Sequence, residues 1–217
     1  MSAVLKPVQT GPRLSVRAAA NFMHLRIGEQ MKMLHDQKYP RQVPQVFRQP
    51  YYGPPLKGIK NYLVEGPTAL VNARADFQRL KQSSRRLHCN RVLESFVKSA
   101  HAGRLLKPIA SPRLYANLRG VELRLSPDLV VKEGGVEKFI YFNFSAREAD
   151  PNSARLTLEF AHWLLSENGI DVDPSRLEYI DLFTNVLYTG RRPRKSSLRD
   201  LEDNVKLIEA LWPTLDP

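Results

Sequence analysis

At 217 residues and 42% hydrophobic content, the chain can form one core plus an extension, and its single cysteine, Cys89, excludes an internal disulfide or a multi-thiolate zinc site. The formal net charge of +11 is uneven: residues 1–115 hold 20 Lys and Arg against 5 acids, whereas residues 116–217 hold 13 against 17. That imbalance points to a polyanionic partner, nucleic acid ahead of acidic protein or an anionic membrane surface. The longest apolar runs fall far short of the roughly 20 residues a bilayer needs, so no membrane partner is expected.

The first segment is poor in acids, with only Glu29 and Asp36 before Glu65, and rich in proline, including Pro40, Pro44, Pro50, Pro54 and Pro55. An amphipathic helix is predicted over about Val16 to Gln37, after which the prolines favour extended or turn conformations. Residues 1–66 therefore read as a basic arm outside the core. Its aromatics Phe47, Tyr51, Tyr52 and Tyr62 are interleaved with Arg41, Arg48, Lys57 and Lys60, a mixture suited to a phosphate backbone or to a partner's groove. The same aromatics could equally pin the arm to its own domain. The Arg- and Ser-containing start, free of acids until Glu29, is similar to a mitochondrial targeting segment, although Pro7 and Pro12 weaken that likeness.

After Gly66-Pro67 the pattern predicts a long helix over about Thr68 to His101, ended by Gly103, with Leu70, Ala73, Phe77, Leu80, Leu87, Phe96 and Val97 as its apolar stripe. Its other faces carry Arg74, Arg79, Lys81, Arg85, Arg86, Arg91 and Lys98, balanced by Asp76 and Glu94 alone. Three strands follow, at about Val121 to Leu125, Asp128 to Lys132 and Lys138 to Ser145, the last two forming a hairpin around Gly134-Gly135. Next come a helix over about Ser153 to Glu167, a fourth strand over Glu178 to Leu187, and the basic loop Arg191-Arg192-Pro193-Arg194-Lys195. A final helix opened by Ser197 carries the stripe Leu201, Val205, Ile208 and Leu211.

A turn at Gly134-Gly135 sets Asp128 opposite Tyr141 and leaves Asn143 one diagonal step away. Alternation then puts Tyr141, Asn143 and Ser145 on a polar face. Ile140, Phe142 and Phe144 point the other way with Leu129 and Val131, toward the long basic helix.

The succession helix, three strands, helix, strand, with Pro127-Asp128 opening the second strand and Asn143-Phe144-Ser145 ending the third, resembles the restriction-endonuclease-like, PD-(D/E)xK superfamily over residues 68–187. The resemblance implies an α/β fold with an α-β-β-β-α-β core, carried on residues 67–217 together with the extra C-terminal helix. In active members two acids hold Mg²⁺ and a lysine stabilises the developing charge. Here the first acid is kept at Asp128, while Asn143 and Ser145 stand where the second acid and the lysine would fall. A degenerate site is expected, with no catalytic residue, no metal and no cofactor.

Lys132, Lys138 or Arg147 could replace the lysine, and Glu94, Glu122 or Glu159 the carboxylate, which leaves a Mg²⁺-dependent nuclease with migrated residues as the alternative. The plainer expectation is that Asp128 caps a turn or pairs with Arg124 or Arg147. The five histidines show no ligand spacing, and Cys89 reads as an inert helix thiol. The chain thus reads as a non-catalytic nucleic-acid-binding protein, gripping RNA in preference to DNA through its basic arm, through Arg74, Arg79, Lys81, Arg85, Arg86 and Arg91 of the long helix, and through Arg191, Arg192, Arg194 and Lys195 of the basic loop, as a structural or accessory subunit among other proteins of a ribonucleoprotein such as a mitochondrial ribosome-like particle. Cytosol or mitochondrial matrix suits its cysteine usage. A protein-interaction or assembly module remains as a third reading.

Overall fold

The computed structural model describes residues 10–40 and 52–216. The beginning of the expected targeting-like segment, with Pro7, and the arm residues Arg41, Pro44, Phe47, Arg48, Pro50 and Tyr51 lie outside the described residues. The fold is mixed α/β with two mixed sheets. In chain order the elements are β1 (Arg13–Ser15), α1 (Val16–Phe22), α2 (Ile27–Lys38), α3 (Gly53–Glu65), α4 (Ala69–Gln78), α5 (Ser83–Lys98), β2 (Lys107–Ile109), β3 (Tyr115–Leu118), β4 (Val121–Arg124), β5 (Leu129–Glu133), β6 (Val136–Asn143), α6 (Pro151–Glu167), β7 (Leu177–Asp181), β8 (Leu187–Thr189) and α7 (Lys195–Leu211).

The larger sheet has the order β2-β5-β6-β7-β8, with β6 and β7 parallel and every other neighbouring pair antiparallel. The smaller has the order β1-β4-β3, β1 running parallel to β4. Residues Val121 to Leu125, expected as first strand of the main sheet, belong to this smaller sheet. Val121, Leu123 and Leu125 alternate inward against Leu14 and Val16, and the connection through Pro127 separates β4 from β5. The strand beside β5 is instead β2, whose Pro108 lies at a sheet edge where a missing N–H is tolerated.

Two cores sandwich the larger sheet. On one side, Ile59 of α3, Ala73 and Phe77 of α4, and Val92, Leu93 and Phe96 of α5 meet Leu129, Val131, Ile140, Phe142 and Phe144. This is the face assigned to the basic helix by alternation. On the other side, Val130, Phe139, Tyr141 and Leu177 pack with residues of α1, α6 and α7.

Each predicted long helix is broken for a local reason. The one over 68–101 is α4 and α5, joined through Leu80-Lys81-Gln82. The Arg86 guanidinium donates to the Leu80 carbonyl at 2.9 Å, satisfying a group the break releases. The helix predicted over 16–37 is α1 and α2. Ser15 Oγ accepts the Ala18 N–H at 3.1 Å to open α1, while Glu29 accepts the Arg26 N–H at 3.0 Å to open α2. The predicted fourth strand divides into β7 and β8, because Asp181 Oδ1 accepts the N–H groups of Phe183 and Thr184 and turns the chain.

Wherever it is described, the expected arm contributes to the core: Leu14, Val16, Phe22, Leu34 and Ile59 are all buried. Pro54 and Pro55 do not force an extended chain. They occupy the first turn of α3, where a missing N–H costs no helical bond. Lys38 Nζ donates to the carbonyls of Trp212 and Leu215, both at 2.8 Å, and Tyr39 Oη to Leu215 at 3.0 Å, so α2 fastens the C-terminal end of the chain.

Candidate functional site

The hairpin register pairs Leu129 with Ile140 and Glu133 with Val136, and one step further places Asp128 across from Tyr141, as the turn at Gly134-Gly135 predicts. The polar face expected beside it is closed. Tyr141 is fully buried beneath α1 and α6, and Asn143 is nearly buried. The short helix α1 packs along α6 and carries Arg17 into the site. Its guanidinium donates to Asp128 Oδ2 and lies 5.0 Å from the Tyr141 ring centroid and 5.7 Å from that of Tyr179. Asp128 Oδ2 also accepts the Phe142 N–H at 2.7 Å. Burial works against the charge on Arg17, yet Asp128 more than offsets it and holds the guanidinium above its ordinary value.

Asp128 therefore pairs with neither Arg124, which reaches Glu122 at 3.8 Å, nor Arg147. Arg147 serves the neighbouring turn: its carbonyl accepts from the Asn143 amide at 2.7 Å, and its N–H donates to Ser145 Oγ at 3.1 Å. Asn143 Oδ1 accepts the Ser145 N–H at 3.0 Å, so Asn143 and Ser145 hold the end of β6 in a tight turn.

The acid beside Asn143 is Asp181 on the parallel strand β7, a residue not singled out from the sequence. Asn143 Nδ2 donates to its Oδ2 at 3.0 Å, and the Ala149 N–H donates to the same oxygen at 2.7 Å. Oδ1 accepts from Phe183 at 2.9 Å and Thr184 at 3.2 Å. Burial pushes this carboxyl up, but the Asn143 amide and the three backbone donors together hold it below the ordinary range. With both oxygens accepting twice, Asp181 is committed to organising loops.

The carboxylates considered as replacements are engaged elsewhere. Glu94 faces Arg74 at 3.8 Å, Glu122 faces Arg13 at 3.6 Å, and the buried Glu159 binds Arg155 at 3.1 Å. Among the described residues no group of three or more His, Cys, Asp or Glu is arranged to hold a metal ion.

At the turn end of the hairpin lies a charge network that sequence reasoning missed. Arg104 donates to both oxygens of Glu133, each at 2.8 Å, and to those of Glu178 at 2.7 and 2.9 Å. Lys138, weighed as a migrated catalytic lysine, contacts Glu133 at 2.7 Å and Glu178 at 2.8 Å. Chiefly through the Arg104 hydrogen bond, Glu133 is held at about 2. Burial and the adjacent Arg104 push the His101 imidazole down. Two cations and two anions thus neutralise one another inside the fold.

The two expected nucleic-acid-binding clusters fall on opposite faces of the larger sheet. Arg74 and Arg79 lie on α4, Lys81 in the link after it, and Arg85, Arg86 and Arg91 on α5. Arg191, Arg192 and Arg194 lie between β8 and α7, which Lys195 opens, and α7 packs on the far side with α6. Within the first cluster Arg74, Arg79, Lys81 and Arg91 are exposed, whereas Arg86 is part-buried and bonded to the Leu80 carbonyl. In the second, Arg194 faces the buried Glu159 at 3.7 Å.

Helix α3, expected to be arm, adds Lys57 and Lys60 to the first face. Residues 53–98 consequently hold nine Lys and Arg against three acids. Between α3 and the corner joining α4 to α5 runs a groove of about 700 Å³.

No protein-family model matches the chain, and a search of curated proteins returns no match. Among the described residues no helix is long and apolar enough to cross a membrane.

Proposed function

We propose that this protein is a non-catalytic nucleic-acid-binding protein, an accessory subunit of a ribonucleoprotein, built on a restriction-endonuclease-like scaffold and binding RNA through the α3–α5 face. The observation that carries this reading is the nine-to-three excess of cations in one helical layer. Most of these side chains reach solvent, where they can neutralise phosphates and release counterions. The order of helices α4 and α5, hairpin β5–β6, helix α6 and parallel strand β7 supports the scaffold. Loss of catalysis is supported by the fate of Asp128, which answers to Arg17 in place of a metal, and by Asn143, which supplies no negative charge.

Filter binding of structured RNA to the full chain across a salt series tests this. Affinity is expected to fall with salt with a log–log slope steeper than about −3, as contacts to several phosphates require. Charge reversal at Arg74 and Arg91 should weaken binding more than reversal at Arg191 and Arg192. No RNA affinity at low salt would refute the reading and favour a protein-interaction module. Mg²⁺-dependent cleavage abolished by Asp128→Ala would refute it in favour of a nuclease.

A further inference from the structure

The groove between α3 and the α4–α5 corner has two chemically distinct parts. Its floor is apolar and comes from Pro54, Gly58, Ala73, Phe77 and Leu80. At Gly58 the helices approach so closely that an added Cβ would lie 3.3 Å from Ala73 Cβ and 3.5 Å from the Phe77 ring, which closes the groove from below.

The rim is cationic. Lys57 and Arg79 share the carboxylate of Asp76, at 3.2 and 3.3 Å, two cations to one anion, and Lys81 and Arg85 also line the groove. Asn61 and Gln82 place carboxamides on the walls, groups that both donate and accept.

We propose that this groove receives one unpaired nucleotide of a single-stranded nucleic acid, with its base against the apolar floor and its flanking phosphates on the Lys57 and Arg79 rim. The inference rests on the nucleic-acid reading above and narrows it to strand type. A volume of about 700 Å³ lies within the usual range of small-molecule sites, and an apolar floor with few polar wall groups is how such sites hold a flat ring. A duplex keeps its bases stacked and paired, so it can use only the rim. A splayed base can enter and offer its edge to the carboxamides. The cationic rim matches a ligand that carries charge on both sides of the inserted ring.

Fluorescence anisotropy with the full chain tests the proposal, using a labelled oligouridine and a blunt RNA duplex of equal length at one salt concentration. The single strand should bind at least about tenfold more tightly, given the worth of a base contact. Asn61→Trp, which fills the groove, should remove that preference while leaving duplex binding unchanged. Lys57→Glu and Arg79→Glu change side chains that are 67% and 81% exposed, so the fold should persist while single-strand affinity drops about tenfold. Photo-cross-links from 4-thiouridine should map to residues 53–61 or 73–85.

Equal affinity for both RNAs, or cross-links confined to residues 191–195, would overturn the groove and leave RNA binding standing. Absence of binding to either RNA at low salt would overturn both. Anionic vesicles that bind and displace the oligonucleotide from the groove would also overturn it.

Discussion

Replacing Arg17 by Met and Asp128 by Asn, singly and together, measures how far the ion pair has become a structural element. The Arg17 and Asp128 side chains are only 25% and 16% exposed. Breaking a buried pair by removing one partner generally costs about 3–5 kcal/mol, because the survivor is an uncompensated charge. After Arg17→Met, Asp128 still accepts the Phe142 N–H at 2.7 Å, which places the loss near the lower bound of about 3 kcal/mol. Arg17 also gives up its contacts with the Tyr141 and Tyr179 rings, worth about 1–2 kcal/mol where water is excluded, which Met repays in part by packing.

Asp128→Asn retains an oxygen for Phe142 but strands the guanidinium, and a loss of about 3 kcal/mol is again expected. The double variant leaves neither charge, so its loss should fall short of the sum by about 2 kcal/mol or more. Urea denaturation followed by the fluorescence of Trp163 and Trp212 gives all four stabilities. Single losses below about 1 kcal/mol, or strict additivity, would refute the reasoning, since either would mean the charges do not depend on each other. Millimolar Mg²⁺ provides a second check: a metal bound by the folded state at a hundred times its Kd would add about 2.7 kcal/mol, and no rise in the wild-type midpoint is expected.

Asn143→Asp restores the acid missing from the nuclease pattern, but it sets a second carboxylate 3.0 Å from Asp181 and removes the donor to the Arg147 carbonyl. A loss of about 2–4 kcal/mol with no gain of Mg²⁺-dependent cleavage is expected from thermal melting and a plasmid assay; a stable, cleaving variant would contradict the structural role of Asn143. Glu133 is depressed to about 2 from an ordinary 4.5, so its contribution to stability is complete above 4.5 and vanishes as pH falls through about 2. Stability curves of the wild type and Glu133→Gln should therefore converge over that interval, and a gap unchanged from about pH 5 to about pH 2 would show that the carboxylate's partners matter little. Gly190→Ala would drive a Cβ into the Pro174 carbonyl and to 3.0 Å from Leu177 Cβ, so a loss of about 1–3 kcal/mol by urea denaturation is expected. A neutral result would mean that the link between β8 and α7 yields easily.

The hairpin and its apolar face were legible because both depend on local spacing: Gly134-Gly135 sets the register, and period-two alternation sends Leu129, Val131, Ile140, Phe142 and Phe144 to one side. The cover on the other side was not legible, because Arg17 and Asp128 are separated by 111 residues and no local pattern links them. One signal was available. Residues 139–142 form an unbroken apolar and aromatic run, the mark of a strand covered on both faces, and this outweighs the reading of Tyr141 as an outward polar residue. Helix α3 is hidden in the sequence because Pro54 and Pro55 resemble helix breakers, although a first helical turn accepts them. Asp181 and the Arg104 network escaped for the same reason as Arg17, since their partners come from strands and loops brought together only by the sheet.

The cations of this chain divide by burial into two sets with separable consequences. Arg17, Arg104 and Lys138 face carboxylates inside the fold, where removing either member of a pair exposes the desolvation of the other, so their substitution should register as lost stability. Arg74, Arg79 and Arg91 stand in solvent, where an ion pair contributes at most about 1 kcal/mol and is screened by salt, so folding gives little reason for cations to outnumber acids so heavily there. The surplus is mildly unfavourable to the isolated fold through mutual repulsion, and under the proposed function a polyanion laid across α3–α5 would relieve that cost on binding. The charge pattern that makes this face a liability for the free protein is the same one through which the proposed RNA would gain its affinity.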